Sequence, residues 1–394
     1  MPAVALIVCA LGGGVAGAAP APTTAPTEAD VRSAVKRSLP YLEQGGTAWM
    51  RERKCNSCHV VTFMVWAHNE AAAAGIDVDR KKLGEWTRWA LADSLSDRRW
   101  FKLRAVPAEA LAAAGLPAEL LPRLQPIVGK TYLTRAEYLD AVEKAIGADA
   151  IARHGDALVR LAKLPNDGGG PDTLSQLLLG RASLPAAEGL ADFYGQIRSL
   201  LLEWQAPDGS WSAAGQLPAV KWGSADEMNR ATSMWALLAL CGEGGASAAE
   251  ARRRAAEHVK GTAAGSTLQS LALELAVAHE RGELERAEAL YVLLMGRQND
   301  DGGWAWWKDN KVSDAFATGQ ALYALGRSGH DGREPAVLRT WGYLLRSQCS
   351  DGSWNVPQEA VNTRPRKLNV YLYWGTAWAD VGLLSTLPGR HVGR

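Results

Sequence analysis

The sequence predicts an all-α chain in which helical hairpins stack into a two-layer solenoid or ring. Three observations carry that expectation. The pattern Q-x-x-D-G-x-W occurs three times, as Gln205–Trp211, Gln298–Trp304 and Gln348–Trp354. Behind these turns come Ala/Leu-rich runs, Ala231–Leu240, Ala317–Leu325 and Gly375–Leu384, apolar nearly all round and so suited to burial on every side. No run alternates apolar and polar residues as a half-buried strand would. The repeat also accounts for an odd composition, 16 Trp against 4 Phe.

The 394 residues, 47% hydrophobic and 22% charged, are those of a globular chain, which excludes wholesale disorder and a polytopic membrane protein. A net charge of +1 removes the field expected of a nucleic-acid binder, so no nucleic-acid partner is expected.

Read in order, residues 1–19 form a secretory signal: an apolar run from Ala3 ends in Ala16-Gly17-Ala18-Ala19, without a preceding Lys or Arg. The run is too short for a membrane span, so no stable transmembrane segment is expected in a periplasmic or secreted mature chain. Residues 20–30 are a Pro/Thr-rich linker, and residues 31–75 a first helical unit. Residues 76–195 are helical, as at Leu83–Leu95 and Arg135–Ile146, and hold an insertion broken by Pro107, Pro117, Pro122 and Pro126. Residues 196–388 carry the repeats.

The repeat starts at 205, 298 and 348, offsets of 93 and 50, so one degenerate unit lies near residues 246–280. Each Asp-Gly supplies a turn, while the Trp packs back over the helix that the Gln ends. The charged segments Glu250–His258 and Arg281–Ala289 fit an outer, solvent-facing layer. Beyond the linker, about 364 residues make seven to eight periods, enough for a closed ring of six helix pairs and an insertion.

The three turns resemble the QW motif of the prenyltransferase and squalene-cyclase repeat superfamily, whose members fold as α/α toroids. The resemblance covers roughly residues 196–386. It implies an apolar isoprenoid ligand and places Asp314, in Lys311-Val312-Ser313-Asp314-Ala315-Phe316-Ala317-Thr318, where triterpene cyclases carry their acid. Those enzymes have D-x-D-D-T-A or D-C-T-A there, whereas Asp314 has no adjacent carboxylate or thiol to strengthen it. Standing directly before an Ala/Leu helix, Asp314 also reads as a helix N-cap. Trp235, Phe316, Tyr323, Tyr373 and Trp378 would line a cation-stabilising cavity or form plain core. Two other toroid chemistries fail by residue: no D-x-C zinc tripeptide occurs, and Cys241-Gly242-Glu243-Gly244 lacks the glutamine of a thioester C-G-E-Q.

Cys55-Asn56-Ser57-Cys58-His59 is a C-x-x-C-H run that composition alone would produce about 0.001 times. On a helix the three side chains fall near 0°, 300° and 40°, one arc facing one porphyrin. The run resembles the c-type haem attachment motif, which implies covalent haem c with His59 on the iron. Alternatives are a CxxC redox pair or disulfide and a zinc site. Met64 and His68 lie on the wrong part of the same helix to be the sixth ligand, leaving Met50, Met228 or Met234. The histidines His154, His258, His279, His330 and His391 read as surface residues.

The expected function is an exported, squalene-cyclase-like toroid with haem c, a redox or haem-dependent role and a periplasmic redox partner. The alternatives are a divergent class II terpene cyclase or isomerase acting on a polyprenyl or triterpene substrate, with Asp314 catalytic, and a non-catalytic ligand-binding scaffold.

Overall fold

A computed structural model describes residues 25–52, 60–95, 114–130, 135–162, 170–181, 189–213, 224–357 and 368–390, together with Leu103, Ala112 and Tyr132. Among these residues the chain is helical, with isolated β-bridges and no strand. The first helices are α1 (Glu28–Glu52), α2 (Val61–Ala73) and α3 (Arg80–Leu95). An inserted group follows: α4 (Leu120–Leu124), α5 (Arg135–Ile146) and α6 (Ala148–Ala162). Then come α7 (Pro171–Leu179), α8 (Ala191–Glu203), α9 (Ala225–Cys241), α10 (Ala246–Gly261), α11 (Leu268–Glu280), α12 (Leu284–Met295), α13 (Ala315–Arg327), α14 (Pro335–Ser347) and α15 (Leu368–Ser385).

The contacts close a ring. In order around it, α2, α7, α9, α11, α13 and α15 each pack on the next, and α15 packs on α2. Helices α1, α3, α8, α10, α12 and α14 lie outside them. This is the all-α, α/α toroid that the repeats predict. Because outer and inner helices alternate along the chain, the inner six run in one direction. Their hydrophobicity explains the layering: every residue of α13 is buried, whereas α10 buries Ala248, Ala251, Ala255 and Val259 and turns its charges outward. The inserted helices have a core of their own around Leu120, Leu124, Tyr138, Val142 and Leu158.

Each Q-x-x-D-G-x-W turn makes the same joint. The Trp indole N–H donates back to the helix before the turn, from Trp211 to Leu201 (2.7 Å), Trp304 to Leu294 (2.9 Å) and Trp354 to Leu344 (2.8 Å). The Trp backbone N–H bonds the following inner helix through Ser233, Thr318 or Thr376. The Gln amide donates across the turn and to the next outer helix, at the carbonyls of Ala251 (2.8 Å), Ala336 (3.2 Å) and Ala34 (2.9 Å). Three residues on, Arg254, Arg339 and Arg37 donate back to the Gln carbonyl oxygen. The turn therefore has a partner, A-x-x-R, on the neighbouring helix. At Gly302, φ is +92° and a Cβ would overlap the Arg339 carbonyl, so only glycine lets the turn lie against α14. Packing between α13 and α15 is closer still, since Gly319 faces the Trp378 backbone and Gly382 faces the Gly319 carbonyl.

Candidate functional site

The amino-terminal ends of the inner helices share one mouth of the ring. There Asp314 caps α13: its Oδ1 accepts from the Ala317 N–H at 2.7 Å, and its own N–H donates to the Trp304 carbonyl at 3.0 Å. The N-cap reading of Asp314 thus describes its structural role. The carboxyl is fully buried, and Oδ2 meets no donor in hydrogen-bond geometry. Burial pushes its pKa up to about 7, against the opposing pull of the Ala317, Phe316 and Trp306 N–H groups. Beside it runs an aromatic stack, with Phe316 4.8 Å from Trp306 and 6.2 Å from Trp374, both nearly parallel.

Further along the axis the ring is filled. Trp235 of α9 meets Trp378 of α15 at 5.7 Å, and Trp66 of α2 meets Trp378 and Tyr323 at 5.4 Å each. Aromatic rings from four inner helices form one plug. Trp235, Tyr323 and Trp378 are therefore core along the axis, while Phe316 belongs to the stack beside Asp314. Tyr373 is elsewhere: its hydroxyl donates to the Leu42 carbonyl at 2.9 Å, in the seam between α1 and α15. In that seam Asp380 Oδ1 accepts from Ser38 at 2.6 Å, and burial holds its carboxyl well above the ordinary range.

Beyond the plug, toward the opposite mouth, lie two partly buried ion pairs, Arg327 with Glu280 (2.5 Å) and Arg390 with Glu70 (2.8 Å). Glu243, in the Cys-Gly-Glu-Gly run, pairs with Arg181 and Arg198.

Sequence reasoning missed several polar residues on the ring wall. Gln320 lies on the stripe Phe316, Gln320, Tyr323, Arg327 of α13, and Gln269 lies three turns before Glu280 on α11, hence on the same face. Gln176 and Asp172 share a stripe of α7 with Gly180, where a Cβ would overlap the Trp66 ring. Gln176, Gln269 and Gln320 are each at most 2% exposed. Neither amide atom of Gln176 has a partner, nor does Oε1 of Gln269 or Nε2 of Gln320. The available signal was a glutamine inside an otherwise apolar, all-round-buried helix.

Cys55, Cys58 and His59, with the proposed haem, disulfide or zinc, lie outside the described residues. Of the remaining sixth-ligand candidates, Met234 takes the Arg230 guanidinium at 3.7 Å, while Met50 and Met228 are half-buried. His68 is buried, donates from Nδ1 to the Met64 carbonyl (2.8 Å), and is held below the usual histidine range by burial. His154, His258, His279 and His330 are half-buried and not plain surface; His330 stacks on Tyr291 at 4.2 Å. Cys241 is a half-buried free thiol, and Cys349 is half-buried as well. Among the described residues no group of His, Cys, Asp and Glu is placed to hold a metal, and no helix is long and apolar enough to cross a membrane.

No family description and no curated protein matches the chain. Solved structures do. An unsaturated glucuronyl hydrolase mutant from Streptococcus agalactiae is 10% identical over 92% of both chains, with a TM-score of 0.46. A polysaccharide lyase is 12% identical over 91% of this chain and 97% of its own, at 0.37. A family 88 glycosyl hydrolase from Bacteroides vulgatus is 11% identical over 91% and 99%, at 0.38. At these values they share the toroid with this chain and no more.

The functional expectation is corrected here. The similar structures carry names of carbohydrate-processing proteins, not of haem proteins or terpene cyclases. The haem-dependent or redox role, the cyclase or isomerase and the scaffold are set aside. For the cyclase the chain gives its own reasons. The axis is plugged by tryptophans, and Asp314 lacks the neighbouring carboxylate that would make it strong enough to protonate an alkene.

Proposed function

We propose that the protein processes a saccharide at the amino-terminal mouth of its inner ring, with Asp314 as proton donor. The observation that carries this reading is the placement of a buried carboxyl, protonated close to neutrality, beside the Trp306–Phe316–Trp374 stack. A flat aromatic face takes the C–H face of a pyranose, and a carboxylic acid with a pKa near 7 matches general-acid work at physiological pH. In the proposed hydrolysis the Asp314 proton passes to the glycosidic oxygen as its bond to the anomeric carbon breaks. The alcohol leaves with that proton. Water supplies the hydroxyl to the anomeric carbon, and its remaining proton restores the acid. Cleavage of this weaker kind needs no superacid, which is where the reading departs from the cyclase.

The test is turnover of neutral and uronate-containing oligosaccharides by the full chain, followed by chromatography of the products. Asp314→Asn retains a capping oxygen and so the fold; it is expected to lose 10²-fold or more in turnover, as order of magnitude for a lost general acid. No cleavage of any saccharide by folded protein, or undiminished cleavage by Asp314→Asn, overturns the reading.

A further inference from the structure

The three glutamines of the ring wall are a second, separate observation. Gln176 on α7 and Gln320 on α13 stand on opposite sides of the ring, four and three residues to the mouth side of a plug contact: Gly180 against Trp66, and Tyr323 against Trp235. Gln269, on α11 between them, lies about 6 Å nearer the mouth by helix rise, measured from the bonded pair Glu280 and Arg327. The Trp235 indole N–H on the floor also has no partner. Opposite helix axes in a six-membered ring are about 16–20 Å apart at ordinary packing distances, too far for two glutamines to bond each other. Burying unpartnered amide groups is unfavourable, and native interiors pair nearly all of them.

We infer that Gln176, Gln269 and Gln320 form a subsite for an uncharged sugar, with Trp235 as its floor. This rests on the saccharide reading and deepens it. A primary amide offers a donor and an acceptor side by side, the complement of a vicinal diol, which likewise gives one of each. A sugar carboxylate calls for a cation instead. The buried arginines of the inner ring, Arg230 and Arg327, are already committed, to Glu274 and Glu280.

Calorimetry of the full chain with cellotriose, maltotriose and glucuronate tests the subsite. One neutral trisaccharide is expected to bind, glucuronate at least tenfold more weakly, and Gln176→Leu and Gln320→Leu each to weaken the trisaccharide tenfold or more. A thermal melt accompanies each variant. Leucine removes an unpartnered amide, so the ligand-free variants are expected to be as stable as the parent or more so, which separates loss of binding from loss of fold. Trisaccharide affinity unchanged in both variants, or glucuronate preferred, overturns the subsite and leaves the saccharide reading standing. A parent chain that binds none of the three sugars overturns both, and the amides then bond only water.

Discussion

The Gln348 amide donates to the Ala34 carbonyl at 2.9 Å, so the last outer helix is fastened to the first across a separation of 314 residues. The bond has the form of the two internal joints, from Gln205 to Ala251 and from Gln298 to Ala336. Ring closure is thus one more repeat contact, made between the two ends of the chain.

Replacing Gln348 by Ala removes two bonds that its amide N–H group donates, to Ala34 and Gly352, and one that its carbonyl oxygen accepts from Arg37, and is expected to cost about 1–3 kcal/mol. Gln298→Ala should cost more than Gln205→Ala, because Gln298 also bonds the Thr340 hydroxyl at 2.9 Å. Urea unfolding of the three variants gives the order. Equal stability of all three and the parent would mean the joints contribute nothing.

Gly302→Ala is expected to destabilise by about 1–3 kcal/mol, since φ is +92° and the new methyl meets the Arg339 carbonyl. Gly282→Ala is the control. It shares a positive φ but has open space around its Cβ position, and should cost less. Thermal melts of the two decide whether the helix approach or the backbone angle matters more.

Asp314 binds a proton in the folded chain that the unfolded chain has already released between about pH 4 and 7, so its contribution to stability is largest at low pH. That contribution falls as pH rises through the window, with a ceiling of about 4 kcal/mol. Asp314→Asn keeps the cap and cannot ionise, so the variant should lose less stability than the parent between pH 4 and 7. Parallel curves would remove the raised pKa from the account.

Trp378→Ala is expected to cost about 3–5 kcal/mol, as it deletes the ring that touches Phe63, Trp66, Tyr323 and Trp235. A loss below 1 kcal/mol would mean that the axis is loosely filled and that the plug is no plug.

The architecture was largely legible before any coordinate. Trp211, Trp304 and Trp354 mark turns whose indoles reach back to the preceding helix, and turn chemistry acts over a few residues, which is the range sequence reports well. The partner motif at Ala34–Arg37, Ala251–Arg254 and Ala336–Arg339 was in view also. It carries no glycine, proline or tryptophan to draw notice, and it acquires meaning only when another hairpin lies against it. The functional expectation failed for a related reason: a fold-level resemblance speaks for helices that pack, while chemistry belongs to the residues that line the axis.

What the sequence by itself determined is the local grammar of this protein: buried helices alternating with amphipathic ones, tryptophan turns between them, and Asp314 as a cap. The tertiary structure alone decided that the hairpins close into a ring, that its axis is filled with indole and phenol rings, and that three glutamines from separate helices lie around it. The reason is distance along the chain. Helix and turn preferences arise between residues a few positions apart, whereas a plug made by Trp66, Trp235, Tyr323 and Trp378 exists only once hydrophobic burial has brought together residues that no local pattern connects.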